Sequence, residues 1–267
     1  MSTFQSDDAV IAYDDHGTGD VLLLIHGHPF NRSMWRPQVA VLSAGWRVVT
    51  SDLRGYGEST VIPGRTTLDV LAADQARLLD HLGVDRAVIV GLSMGGQIAM
   101  DFYRQFPQRT RALVFADTFA EGETPEGKVR RNSIADRLQR EGMATYADEE
   151  LPKMVSQSTI AKRPDVAAHV LDMMRRSPAE GAAAALRGRA ERPDYVELLG
   201  QVDVPALVVV GRDDTYTPVA VAESLHERLR ESTLVVVEDT GHMPNLERPD
   251  AFNDALGAFL RQVSDRK

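Results

Sequence analysis

The stretch Val88-Ile89-Val90-Gly91-Leu92-Ser93-Met94-Gly95-Gly96-Gln97-Ile98-Ala99-Met100 constrains this chain more than any other. Its Val/Ile run reads as a buried strand, and the residues after Ser93 read as a helix. Between them stands Gly91-x-Ser93-x-Gly95, a sharp turn whose glycines leave no side chain to collide with the neighbouring strand or helix. Such a turn holds Ser93 at its tip. The helix behind it aims backbone N–H groups at the space beside the hydroxyl. That arrangement suits a nucleophile that must stabilise an oxyanion. The competing reading is a Gly/Ser turn that serves only the fold.

The surrounding chain alternates short apolar runs with amphipathic segments. Strands are expected at Val10–Tyr13, Val21–Ile25, Trp46–Thr50, Ala87–Val90 and Ala112–Ala116, and helices near 34–43, 67–82 and 93–106. Gly83 and Pro107 are stop signals. The rhythm implies parallel βα units in a doubly wound sheet. It breaks over 118–196, where helices are expected at Glu126–Arg140, Asp165–Arg176 and Ala179–Ala190 and no strand is. It resumes with strands at Ala206–Val210 and Thr233–Val237 and helices over 218–230 and 249–263. The chain therefore reads as a core, 1–117 and 197–267, with a helical cap, 118–196, inserted between two core strands. Acidic and basic residues balance within the cap, so the net charge of −9 falls on the rest. This makes the cap the more favourable side for an anionic substrate.

Composition narrows the function further. The absence of cysteine excludes disulfides, thiolate metal sites and cysteine nucleophiles, and is compatible with a reducing compartment. Met1 to Asp8 lacks the basic and apolar regions of a signal peptide, and runs such as Val21–Ile25 are too short to span a bilayer. The acidic balance opposes nonspecific binding to nucleic acid or anionic membrane. A cytoplasmic protein is expected, with no nucleic-acid or membrane partner. No His/Asp/Glu group has metal-ligand spacing, so neither a metal nor an organic cofactor is expected.

A serine hydroxyl needs a base beside it and a group that orients that base. His242 follows the 233–237 strand, in Asp239-Thr240-Gly241-His242-Met243-Pro244. Gly211-Arg212-Asp213-Asp214-Thr215-Tyr216-Thr217-Pro218 follows the 206–210 strand and offers two carboxylates, Asp213 and Asp214. The strand reading places these groups at the carboxyl edge of the sheet with Ser93, where ligands of parallel α/β sheets bind.

Five blocks together resemble the α/β-hydrolase fold superfamily, in its serine-nucleophile branch. They are His26-Gly27-x-Pro29, Asp52-x-Arg54-Gly55-x-Gly57-x-Ser59, Gly91-x-Ser93-Met94-Gly95-Gly96, Gly211-x-x-Asp214-x-x-x-Pro218, and Gly241-His242 with Glu247-x-Pro249 behind it. The chain order Ser…Asp…His also matches. The resemblance covers nearly everything except the insertion. It is nearest to the group of 3-oxoadipate enol-lactonases, small carboxylesterases and cofactor-free haloperoxidases. It implies a mostly parallel eight-stranded sheet with helices on both faces and a helical cap.

The resemblance also implies roles. Ser93 would be the nucleophile, His242 the base and Asp214 the orienting acid, the family spacing selecting Asp214 over Asp213. Some members take the acid from the position of Asp117, whose bland role is a cap at the start of the insertion. The oxyanion would be held by the backbone N–H groups of Met94 and His28. Position 28 is usually apolar or aromatic in this group; the His28 side chain either faces the substrate or only its backbone matters. His26 would brace its loop, and Asp52 and Arg54 would form a structural network. Phe30, Trp35, Phe119, Met143 and Tyr146 are expected to line the substrate pocket, against a reading in which they are core. The expected activity is cleavage of a small ester or lactone through an acyl-enzyme, by a monomer or homodimer. The alternatives are a C–C bond hydrolase, a haloperoxidase-like perhydrolase, a cofactor-independent dioxygenase and a non-catalytic ligand receptor.

Overall fold

The computed structural model describes residues 2–265; Met1, Arg266 and Lys267, at the ends of the two expected core segments, lie outside the described residues. In chain order the first half contains β1 (Ser2–Ser6), β2 (Ala9–His16), β3 (Val21–Ile25), α1 (Arg36–Leu42), β4 (Arg47–Ser51), α2 (Leu68–His81), β5 (Ala87–Leu92), α3 (Met94–Gln105) and β6 (Thr110–Ala116). Six helices follow without a strand: α4 (Pro125–Glu141), α5 (Ala144–Met154), α6 (Gln157–Lys162), α7 (Pro164–Arg176), α8 (Ala179–Ala190) and α9 (Val196–Leu199). The chain closes with β7 (Ala206–Gly211), α10 (Val219–Arg228), β8 (Ser232–Val237), α11 (Pro244–Glu247) and α12 (Pro249–Ser264).

The eight strands form one sheet in the order β1-β2-β4-β3-β5-β6-β7-β8. The β1–β2 and β2–β4 pairs are antiparallel and all others are parallel. Every residue of β3, β5 and β7 is buried. A parallel strand covered on both faces has no polar side, which is why these segments read as continuous apolar runs. Helix α2 packs on α3, and α1 on α12. Among the described residues no helix is long and apolar enough to cross a membrane.

Five elements escape the periodicity, two of them the four-residue helices α9 and α11. Strand β1 is short and polar, with only Phe4 and Ser6 buried, and exists through its pairing with β2. Helix α5 carries Pro152 and the acidic run Asp148-Glu149-Glu150, and α6 has only six residues. Helix α8 shows the opposite effect. Its Ala182–Ala185 run does more than favour helix: nine of its twelve residues are buried. The Cα of Gly181 meets the backbone of Gly55, and that of Gly188 meets Thr66, with no room for a Cβ at either contact. Small residues let this helix lie directly on the core loops.

Candidate active site

Ser93 sits between β5 and α3 with φ +57° and ψ −116°. An L-residue adopts this geometry only when its surroundings impose it. Here the Ser93 N–H donates to the Ala116 carbonyl (2.9 Å), and Thr118 Oγ1 donates to the Ser93 carbonyl (2.7 Å). A Cβ on Gly91 would collide with the Gly95 carbonyl, and one on Gly95 with the Ile25 carbonyl. The two glycines therefore allow α3 to start directly against β5 and β3. In the run Gly91–Met100, Ser93 alone is not fully buried. Met94 opens α3, so its N–H has no partner within the helix.

His242 follows β8, and its Nδ1 lies 2.7 Å from Asp214 Oδ2. Asp214 also accepts from Thr217 Oγ1 and from the Tyr216 N–H (2.8 Å). Burial alone would raise its pKa. The facing His242 ring and the donated hydrogen bonds outweigh that and hold the carboxyl below its ordinary value. Asp213, one residue earlier, is exposed.

Asp117 stands at the end of β6, and the structure gives it a different task from a cap on the insertion. Its Oδ1 accepts the Gly211 N–H at the end of β7 (2.9 Å), while its buried Oδ2 has no partner. Ligand-type atoms of Asp117, Asp214 and His242 all lie within 4.8 Å of one another, the one group among the described residues with the compactness of a metal site. Burial first, and then the Asp214 charge, push the Asp117 pKa well above the carboxylate range.

The loop after β3 contributes two histidines. His26 Nδ1 bonds the Gly27 carbonyl (2.8 Å), and its Nε2 accepts the Leu53 N–H (2.9 Å), which ties this loop to the one after β4. Asp52 takes the Arg32 side chain and the Glu58 N–H, and Arg54 forks onto Asp74 at 2.6 and 2.7 Å. The His28 side chain lines the same cavity as Ser93. Its Nδ1 lies 2.8 Å from Tyr56 Oη and its Nε2 3.5 Å from Tyr146 Oη. Burial, and then the Arg189 charge, lower its pKa well below the usual imidazole value, so the ring is neutral at pH 7.

A cavity of about 260 Å³ joins these groups, with Ser93, His28 and His242 in its wall. Phe119 and Tyr146 also line it. Phe30, Trp35 and Met143 do not. Phe30 faces a separate cleft of about 640 Å³ that contains neither Ser93, Asp214 nor His242. Trp35 is fully buried against Phe252, and Met143 is buried in the core. All three are apolar side chains that pack away from this cavity, the outcome that apolar patterning cannot separate from pocket lining.

Glu247, quoted above only as part of a block, is the residue whose task the sequence did not disclose. Its Oε1 accepts the N–H groups of Gly241 (2.8 Å) and Met243 (3.2 Å), on either side of His242. Its Oε2 accepts the Ser156 N–H and Thr159 Oγ1, both at 2.7 Å. One buried carboxylate thus ties the His242 loop to the start of α6. The proximity of Glu247 to Pro249 in the last block was the only signal.

A hydroxyl on a strained turn, a ring bonded to a buried carboxylate and a helix-terminal N–H thus meet at the carboxyl edge of a parallel sheet. The α/β hydrolase fold family matches residues 20–249, and the chain belongs to it. It is similar to 3-oxoadipate enol-lactonase 2 of Acinetobacter baylyi, 30% identical over 98% of this chain and 97% of that protein. A 2-hydroxy-6-oxononadienedioate/2-hydroxy-6-oxononatrienedioate hydrolase of Burkholderia vietnamiensis is 32% identical over 94% and 91%. Among solved structures, a thermophilic esterase of Thermogutta terrifontis with malate bound superposes with a TM-score of 0.95, at 40% identity over 98% and 97% of the two chains.

Proposed function

We propose that this protein is a serine hydrolase that cleaves a small ester or lactone through an acyl-enzyme. The observation that carries the reading is the pairing of a strained Ser93 with a His242 that shares its cavity and is bonded to Asp214 at 2.7 Å. In this reading His242 takes the Ser93 proton as Oγ attacks the carbonyl carbon. The N–H groups of Met94 and His28 hold the oxyanion, each contributing on the order of 3 kcal/mol in the transition state. Asp214 keeps the ring in the tautomer whose Nε2 accepts that proton. The imidazolium then protonates the leaving alcohol. Water, deprotonated by His242, attacks the acyl carbon and frees Ser93. The similarity to an enol-lactonase and an esterase supports this class of substrate.

The test is labelling with a fluorophosphonate followed by peptide mapping, alongside turnover of p-nitrophenyl esters and small lactones. The reading requires the label on Ser93 and loss of both labelling and turnover in Ser93→Ala. A label elsewhere overturns it. Cleavage of a diketone with no ester turnover would move the reaction to the C–C bond class.

A further inference from the structure

Arg189, in the last turn of α8, lines the cavity that holds Ser93 and is only 7% exposed. Its one side-chain hydrogen bond runs from Nε to Gln97 Oε1, 3.1 Å away. Gln97 lies one turn after Ser93 on α3, and its own buried Nε2 has no acceptor. No carboxylate pairs with Arg189 among the described residues. Two neighbouring guanidiniums, Arg131 and Arg192, share the single carboxylate of Glu123. Lys153 at the cavity wall neutralises Glu150. Glu150 is the one carboxylate in the cavity wall among the described residues, and Lys153 and Tyr216 Oη take it, so Arg189 is left without a carboxylate partner.

Burying an unpaired guanidinium is costly, and folding alone supplies no return for it here. Burial, reinforced by the charges of Arg131 and Arg192, already presses its pKa well below the normal arginine value. A bound anion would relieve all of this. A planar fork matches a carboxylate, which accepts two parallel N–H bonds.

We propose that Arg189 is the carboxylate-binding residue of this cavity, so that the ester or lactone cleaved at Ser93 carries a free carboxylate. The proposal rests on the serine-hydrolase reading for the cleavage, while the anion site stands on its own geometry. Gln97 is a positioning residue: by holding Nε it turns the two terminal nitrogens of Arg189 toward the cavity. The cavity, just under the lower end of the range for drug-sized pockets, fits a short-chain acid.

The experiment pairs charged and neutral isosteres. Hydrolysis of the p-nitrophenyl monoester of glutaric acid is compared with that of p-nitrophenyl pentanoate, and acetoxyacetate with ethyl acetate, so that the carboxylate is tried on either side of the scissile bond. The charged member of at least one pair should be preferred roughly tenfold or more in kcat/KM, mainly through KM. Arg189→Met should bring that ratio to within about twofold of one, Arg189→Lys should retain part of it, and Gln97→Leu should lower it. Arg187→Met, a surface charge paired with Asp136, serves as the control and should keep the ratio. A merely structural arginine would show as a lowered Tm in Arg189→Met, whereas removing an unpaired buried cation should hold or raise it. Glutarate binding to Ser93→Ala, measured by calorimetry, reads the anion site without chemistry. Binding there with no fluorophosphonate label on Ser93 of the unmodified protein would sink the hydrolase reading and keep the site. Labelling with no charge preference in either pair, or a preference untouched in Arg189→Met, overturns the proposal.

Discussion

Asp117 and Asp214 lie side by side at the ends of neighbouring strands, both within reach of His242, and titrate in opposite directions. Two carboxylates so close in a dry site cannot both ionise. Asp214 receives the ring and the Thr217 hydroxyl, while Asp117 has one backbone N–H and an orphaned oxygen. The charge settles on Asp214. Replacing Asp214 with Asn should therefore lower kcat by about 10⁴-fold, by favouring the wrong tautomer of His242. Asp213→Asn, at the surface, should change kcat little. Steady-state kinetics on one ester separates the two.

The same pair sets a pH dependence of stability. The folded pKa of Asp117 lies above its ordinary value, so on raising pH the unfolded chain loses this proton first. Stability then falls with rising pH from the ordinary carboxyl value toward the raised one. Asp117→Asn keeps the shape and removes that slope. Its Tm advantage over the unmodified protein should grow as pH rises above about 4, the ordinary carboxyl value, as followed by calorimetry. A constant or shrinking difference would contradict the assignment.

Strain at Ser93 makes a second stability prediction. The mirror-image backbone region it occupies is open to glycine at no steric cost. Relief of about 1–3 kcal/mol should outweigh the roughly 0.5–1 kcal/mol of extra chain entropy that glycine loses. Ser93→Gly should thus be inactive yet more stable than Ser93→Ala, the reverse of the usual order. Chemical denaturation of the two variants decides it.

Glu247 should couple stability to catalysis. Glu247→Ala would leave donors of Gly241, Met243, Ser156 and Thr159 without their acceptor. A loss on the order of 3 kcal/mol is expected from denaturant midpoints. Glu247→Gln, which keeps one carbonyl, should fold but reduce kcat by roughly tenfold with little change in KM, because a loosened His242 loop affects proton transfer more than binding.

Gly95→Ala tests the close approach at the turn. The new methyl group would collide with the Ile25 backbone, which cannot yield without moving β3. Destabilisation beyond about 4 kcal/mol, or insoluble protein, is expected. Gly64→Ala is a weaker case, since it meets no neighbour and pays only for a positive φ.

Most of the sheet was legible because its signals are local. Strands β3, β5 and β7 are apolar runs bounded by turn residues, and α3 announces itself through Gly91, Ser93 and Gly95. Within the insertion, α4, α7 and α8 showed in the pattern, while α5 and α6 did not, because proline, acidic runs and short length weaken periodicity. The pocket wall was the least legible part. Trp35 and Tyr146 are both large side chains in helical segments; one lies against Phe252 and the other faces His28.

By itself the sequence determined the strand-turn-helix that carries Ser93 and the order in which the supporting loops follow it, because side-chain periodicity and tight turns depend only on neighbouring residues. Tertiary structure alone decided that Asp117 stands beside Asp214 and His242 with its pKa raised by burial, and that Arg189 is buried without a carboxylate partner. Each of these depends on burial and on groups far apart in the chain: Glu247 meets Ser156 across 91 residues, and Arg189 meets Gln97 across 92. Electrostatic energies in a folded interior are set by such distances and by the exclusion of water, and neither is written in local pattern.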